Sequence, residues 1–346
     1  MFDLTKYSFV NSKIRAMLSY LLSPAHFERL VEAKDTSEMM DIFKGTAYGV
    51  IVERLGRGHI ELENLEKELI KEDLRIFRKV YDMFSTKEEK NFVAQLMERY
   101  EIEELKVVLR AWHKKIAINL NDYITSDTIN FCIDFEKILA AQSIEEIIIL
   151  LDHTPYKQSL LEAREKFKKQ GSSFCLEVAL DRSYYERLLA TINKFSLSDK
   201  KVARKLLGLE IDIENINSLI RLKKYYSLGT EAIMEAVMPG GERIDEKDIE
   251  KFYSTGGLSK IVEGIGLVPH IKIKNFDDEN AYSIGNFLYE VLLHQVKKVL
   301  GGFPFTIGTT MGYLILKRRE THNIISLFYS KALGVKKDET SSLLNM

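Results

Sequence analysis

A ten-residue pattern occurs three times in this chain, and that repetition limits its fold more than any other feature. The copies run Glu101-Ile102-Glu103-Glu104-Leu105-Lys106-Val107-Val108-Leu109-Arg110, Asp212-Ile213-Glu214-Asn215-Ile216-Asn217-Ser218-Leu219-Ile220-Arg221 and Glu320-Thr321-His322-Asn323-Ile324-Ile325-Ser326-Leu327-Phe328-Tyr329. Their starts lie roughly 110 residues apart, a period as long as a small domain. Leu105, Val108 and Leu109 are offset by three and four residues, so they share one helix face. Ile216, Leu219 and Ile220 repeat that face, as do Ile324, Leu327 and Phe328. Each copy opens on an acid, which at the start of a helix would suit the positive end of its dipole. Arg110 and Arg221 close the first two copies, whereas Tyr329 closes the third.

A second box recurs upstream of each copy. Asp41-Ile42-Phe43-Lys44-Gly45-Thr46-Ala47-Tyr48 is matched by Ile149-Leu150-Leu151-Asp152-His153-Thr154-Pro155-Tyr156, and more weakly by Glu250-Lys251-Phe252-Tyr253-Ser254-Thr255-Gly256-Gly257. Start signals precede the boxes: Asp35 with Glu38, Ser143 with Glu146, Asp245 with Asp248. In the first two, cap side chain and glutamate are expected to satisfy each other's free N–H groups. In the third, Asp248 is expected mainly to complement the dipole. The boxes end as stops or turns. One box alone would be an ordinary amphipathic helix; two boxes recurring in order point to a triplicated helical unit.

Composition agrees with an all-α chain. Its 346 residues suffice for two or three domains, with 5 prolines and 19 glycines favouring long helices over a turn-rich sheet protein. The hydrophobic fraction of 45% and charged fraction of 29% are those of a soluble globular protein. A net charge of −1 supplies no global basic field for nucleic acid. The two cysteines, Cys132 and Cys175, lack CxxC partners, so a reducing cytoplasm is expected. Met1 to Tyr7 lacks the apolar core of a signal peptide, and the run Ile147 to Leu151 is far short of a membrane span.

The expected division is residues 1–122, 123–228 and 229–346. Helices are expected from Asn11 to Glu32 with Pro24 breaking it or starting a second one, Ile60 to Tyr81, Thr128 to Ala141, Ile144 to Leu151, Leu160 to Gln170, Phe174 to Phe195, Glu231 to Met238 and Ala281 to Leu300. The charge run on the second of these reads as a solvated face. Residues 264–275 are the least helical stretch, a short strand or an exposed loop.

No catalytic signature emerges. GxxxxGK and G-x-S-x-G are absent, and no two of the 7 histidines stand four apart. The glycines between Gly301 and Gly312 read as an inter-helix turn rather than a phosphate loop. Glu290 and His294 would make at most half a metal site, and Trp112 with His113 reads as packing. Phe303-Pro304-Phe305 and Leu267-Val268-Pro269 sit near glycines as candidate partner-docking positions, with burial under neighbouring helices the plainer reading.

Three stretches carry a family resemblance. Tyr7-Ser8-Phe9-Val10-Asn11-Ser12-Lys13-Ile14-Arg15-Ala16-Met17, Asp212 to Lys223, and Pro304-Phe305-Thr306 with Tyr313-Leu314, Lys317-Arg318-Arg319-Glu320, Asn323-Ile324 and Leu327 together resemble the C-type subunit of archaeal and bacterial V-type (A-type) ATPases, the counterpart of the d-type subunit in the vacuolar enzyme. The resemblance spans essentially the whole chain. It implies three similar helical domains in pseudo-threefold arrangement forming a funnel, without catalysis, cofactor or metal. It implies a socket that receives the central shaft (D- and F-type subunits) and sits on the cytoplasmic face of the membrane rotor ring of K/c subunits, near the membrane-embedded stator subunit. Such a socket couples ATP turnover to proton or sodium transport. Arg110 and Arg221 then become candidates for polar contacts in or near the cavity, against the alternative that each pairs with a carboxylate of its own domain. Phe303 and Phe305 remain docking candidates. A helical-repeat scaffold unrelated to a rotary ATPase, and a metal enzyme using Glu290 and His294, are the rival readings.

Overall fold

The computed structural model describes residues 2–56, 61–125, 129–225, 230–255, 281–337 and 340, with side chains outside the described set at 2–5, 220–232 and 251–286. All regular structure among these residues is helical. In order the helices are α1 (Phe2–Leu18), α2 (Pro24–Glu32), α3 (Thr36–Lys44), α4 (Gly49–Leu55), α5 (Leu62–Met83), α6 (Lys87–Lys114), α7 (Leu120–Tyr123), α8 (Phe135–Ala140), α9 (Ile144–Leu150), α10 (Tyr156–Gln170), α11 (Phe174–Ile192), α12 (Leu197–Tyr225), α13 (Thr230–Ala236), α14 (Glu246–Thr255), α15 (Ala281–Gly301) and α16 (Ile307–Ala332).

The helix expected across Asn11 to Glu32 is two helices, because Ser23 caps α2 and Pro24 takes its first position, where a missing N–H costs nothing. The expected helix Thr128 to Ala141 shortens to Phe135–Ala140. Asp134 caps α8 through the Lys137 N–H at 3.0 Å, and the Asn130 and Phe131 N–H groups are held by a carboxylate described below. Residues 264–275, the expected second boundary near 227–229 and most of the tail after Lys336 lie outside the described residues.

The capping expectations reverse in one respect. Asp35 and Ser143 do accept the Glu38 and Glu146 N–H groups, but the two glutamates reach one residue further back, to the N–H of Lys34 and Gln142, each at 2.8 Å. The reciprocal pair is the third: Asp245 accepts from the Asp248 N–H at 2.9 Å, and Asp248 accepts from the Asp245 N–H at 3.2 Å.

The chain forms two compact units. One comprises Ile70–Lys194. Within it α6 and α11 run antiparallel along a polar seam: Asn91 with Thr191, Glu98 with Arg187, Arg99 with Tyr185, Lys106 with Asp181 and Arg110 with Glu177. Ile102, Leu105, Val108 and Leu109 are buried, as the repeat pattern requires. The other unit comprises Met1–Leu69 with Phe195–Met346. There Ile324, Leu327 and Phe328 of α16 enter one apolar cluster with Phe27, Leu30, Met39, Phe43, Tyr48 and Leu65. The start of α16 lies so close to its neighbours that a Cβ on Gly308 would sit 2.4 Å from Val202 and 2.8 Å from Val299, which leaves room only for glycine.

Candidate functional site

The three repeated acids do not start helices. Glu101, Asp212 and Glu320 lie in the interiors of α6, α12 and α16, so the helix dipole explains none of them. They are 2, 1 and 6% exposed. A buried carboxylate survives only with enough hydrogen-bond donors around it, and each of these gathers its donors from a segment that leads into another helix.

On α6, Glu101 accepts the Phe131 N–H at 2.9 Å and the Asn130 N–H at 3.3 Å on one oxygen, and the Tyr156 hydroxyl at 2.7 Å on the other. One turn on, Glu104 accepts the Thr125 N–H at 2.7 Å. On α12, Asp212 accepts the Arg243 N–H at 2.9 Å and the Ile244 N–H at 3.3 Å. One turn on, Asn215 grips both polar groups of a single peptide residue: its amide donates to the Met238 carbonyl at 2.9 Å and its oxygen accepts the Met238 N–H at 2.7 Å. On α16, Glu320 accepts the Leu22 N–H at 2.6 Å and the Tyr48 hydroxyl. Lys317 donates to the Tyr48 oxygen at 2.5 Å and stands 3.4 Å from Glu320.

The Thr-x-Tyr boxes supply the hydroxyls. Thr46 and Thr154 each donate to the carbonyl three residues back at 2.8 Å and accept the N–H of Tyr48 and Tyr156. The threonine therefore ends its helix and aims the tyrosine into the core. Tyr48 meets Lys317 and Tyr156 meets Arg187, with the cations 4.3 and 6.0 Å from the ring centres. In the third box Thr255 is the last described residue of α14, and its side chain and the two glycines lie outside the described residues.

Burial sets the electrostatics. It raises Glu101 above the ordinary carboxylate range against its hydrogen bonds from Tyr156, Phe131 and Asn130. It raises Glu98 likewise, opposed by Arg187. Glu104 and Asp212 are each pushed up to about 7, again by burial, with backbone N–H groups pulling the other way. These shifts follow from packing.

The residues singled out for partner contact fall in different surroundings. Arg110 is half-exposed and 3.5 Å from Glu177, a carboxylate of the same compact unit. Arg221 lies on α12 with its side chain outside the described residues. Tyr329, at the corresponding place in the third copy, donates to Glu66 at 2.9 Å. Phe303 is 64% exposed, and Phe305 is half-buried with the two ring centres 5.5 Å apart. Leu267-Val268-Pro269 lies outside the described residues. Glu290 and His294 are exposed on α15. Among the described residues no group of three or more His, Cys, Asp or Glu is placed to hold a metal. Trp112 donates to the Ala141 carbonyl at 2.7 Å and packs on Phe167, and Gly308 and Gly312 lie within α16.

Sequence reasoning missed that the acids are interior. The available signal was their company: Glu101 stands among Met97, Ile102 and Leu105, all buried, so it shares the apolar face rather than preceding it.

The fold and its clamps define a helical protein whose three repeated acids each hold its own backbone. Within that class the chain belongs to the ATP synthase (C/AC39) subunit family, whose model matches residues 10–343. Relatives named as the C-type subunit of an A-type ATP synthase include those of Methanocaldococcus jannaschii, 23% identical over 99% of this chain and 87% of the relative, and Archaeoglobus fulgidus, 24% identical over 96% and 94%. That of Pyrococcus abyssi is 24% identical over 98% of this chain and 90% of its own length. No helix among the described residues is long and apolar enough to cross a membrane.

Proposed function

We propose that this chain is the non-catalytic central-stalk socket of an A-type ATP synthase, peripheral on the cytoplasmic face and joining the D- and F-type shaft subunits to the membrane rotor ring. The observation that carries the reading is the family match across nearly the whole chain. Three repeated helical modules forming a funnel suit the task, because a torque-bearing part needs stiffness and close-packed helices supply it. Two of the clamps each fasten a threonine-aimed tyrosine and a lead-in backbone to one long helix, which stiffens the repeat without any reaction chemistry. Exposed Phe303, with Phe305 beside it, would offer an apolar contact to the ring or shaft, and Arg110 and Arg221 are the proposed polar contacts.

Reconstitution tests the reading. Shaft subunits and ring-containing membranes are mixed with and without the purified chain, and sedimentation shows whether the shaft follows the membranes. The shaft is expected to follow only when the chain is present, and the chain alone is expected to hydrolyse no ATP. Equal sedimentation without the chain, or robust hydrolysis abolished by a point substitution in it, would overturn the proposal.

A further inference from the structure

The clamps are not in step with the order of the chain. On α6 Glu101 holds the Asn130 and Phe131 N–H groups and the Tyr156 hydroxyl, and Glu104 the Thr125 N–H, all of which follow it, and the acid on α12 holds 243–244, which also follow it. The acid on α16, the last long helix, holds Leu22 and Tyr48, which stand near the beginning. We propose that the repeating structural module is an acidic helix plus the segment that follows it in cyclic order, so that α16 is a clasp completing the N-terminal residues 2–55 from the opposite end of the chain.

Polar, apolar and peripheral contacts all support the clasp. The polar part is the buried Lys317–Tyr48–Glu320 triad with the Leu22 N–H on its carboxylate. A triad of this kind costs much more to break than it contributed to form, because each loss leaves a buried partner unmatched. The apolar part is Ile324, Leu327 and Phe328, which fill the cluster made by α2, α3, α4 and the start of α5, with Phe328 and Phe43 ring centres 5.5 Å apart. Around the rim, Lys331 donates to the Val31 carbonyl at 3.1 Å and Tyr329 to Glu66. At the start of α16 the Ile307 N–H donates to Asp199 at 2.8 Å, and the same carboxylate accepts the Tyr7 hydroxyl of α1 at 3.0 Å. Residues 2–55 therefore have their core partner between 272 and 300 positions away, a separation at which cooperative local opening is expected to follow contacts rather than sequence. The compact unit Ile70–Lys194 contains the whole of the first clamp and none of the third.

Hydrogen exchange followed by mass spectrometry on the full chain tests the clasp, using Glu320→Gln and its mirror Glu101→Gln. In Glu320→Gln, peptides covering residues 22–55 and 320–332 are expected to exchange about tenfold faster, the factor for losing one charge-assisted buried hydrogen bond, while 129–192 keep their rates. In Glu101→Gln, residues 125–160 should accelerate and 22–55 should not. Phe328→Ala, which empties part of the same cluster without touching the triad, should repeat the Glu320→Gln pattern. Unchanged exchange at 22–55 in both α16 variants, or acceleration of 129–192 to the same degree, would overturn the proposal.

Discussion

The clamps on α6 and α12 hold the same kind of cargo with different parts. On α6 a glutamate extends far enough to collect two backbone N–H groups and a tyrosine hydroxyl. On α12 the acid is an aspartate, one methylene shorter, and the backbone comes to it instead. Gly240 turns with a φ of +94°, and a Cβ on Gly241 would lie 2.3 Å from the Asp212 carboxylate. Long acid with tyrosine, and short acid with glycine, are two solutions to one requirement: a buried carboxylate must be saturated with donors. The contrast teaches that the repeat conserves an interaction rather than a set of side chains, which is how a packing element diverges and how a catalytic group does not.

The largest expected effect breaks the α6 side. Glu101→Ala orphans two part-buried N–H groups and the buried Tyr156 hydroxyl, and should cost about 3 kcal/mol. Trp112 is the single tryptophan and sits on the same helix, so its fluorescence reports the loss as a lowered denaturation midpoint. On the α12 side, Gly241→Ala should cost about 1–3 kcal/mol by driving a methyl into the Asp212 carboxylate. Its readout is faster exchange at residues 238–248, whereas Gly301→Ala, with open space around it, should leave those peptides alone.

Smaller changes sharpen the comparison. Tyr156→Phe removes the third donor from Glu101 while both backbone N–H groups stay, and should cost about 1–2 kcal/mol by the same Trp112 signal. The mildest test is pH. Glu104 and Asp212 titrate at about 7 when folded, above their ordinary values of 4.5 and 3.8, so the folded protein binds protons that the unfolded chain releases. Stability is then fully present below about pH 4 and is lost as pH rises through about 7, by roughly 1 kcal/mol per group between pH 6 and 8. Glu104→Gln and Asp212→Asn should each flatten that slope, measured as the denaturation midpoint across the range.

Much of this fold could be read from the sequence because helical faces are local. The 3.6-residue spacing of Leu105, Val108 and Leu109 and the cap pairs at Asp35 and Ser143 announce themselves within a few positions. The role of the acids could not be read that way. Glu101 finds its donors at Asn130, Phe131 and Tyr156, and Glu320 finds them at Leu22 and Tyr48, so the neighbours within a helical turn show that the acid shares the apolar face but not what it clamps. The same holds for α8: the Asn130 and Phe131 N–H groups, inside the helix expected from Thr128, belong to the Glu101 carboxylate about thirty positions away. The partner-facing candidates were legible only as residue types: Phe303 stands exposed, while Arg110 already has Glu177 within 3.5 Å.

The central claim, that each repeated acid clamps a segment next in cyclic order, is tested most directly by a double-mutant cycle on Tyr48 and Glu320. Native-state exchange would give the opening free energy of residues 22–48 in the wild type, Tyr48→Phe, Glu320→Gln and the double variant. A coupling of about 1–2 kcal/mol is predicted, matching the same cycle on Tyr156 and Glu101 read at residues 129–156. Additive effects, within about 0.5 kcal/mol, would contradict it.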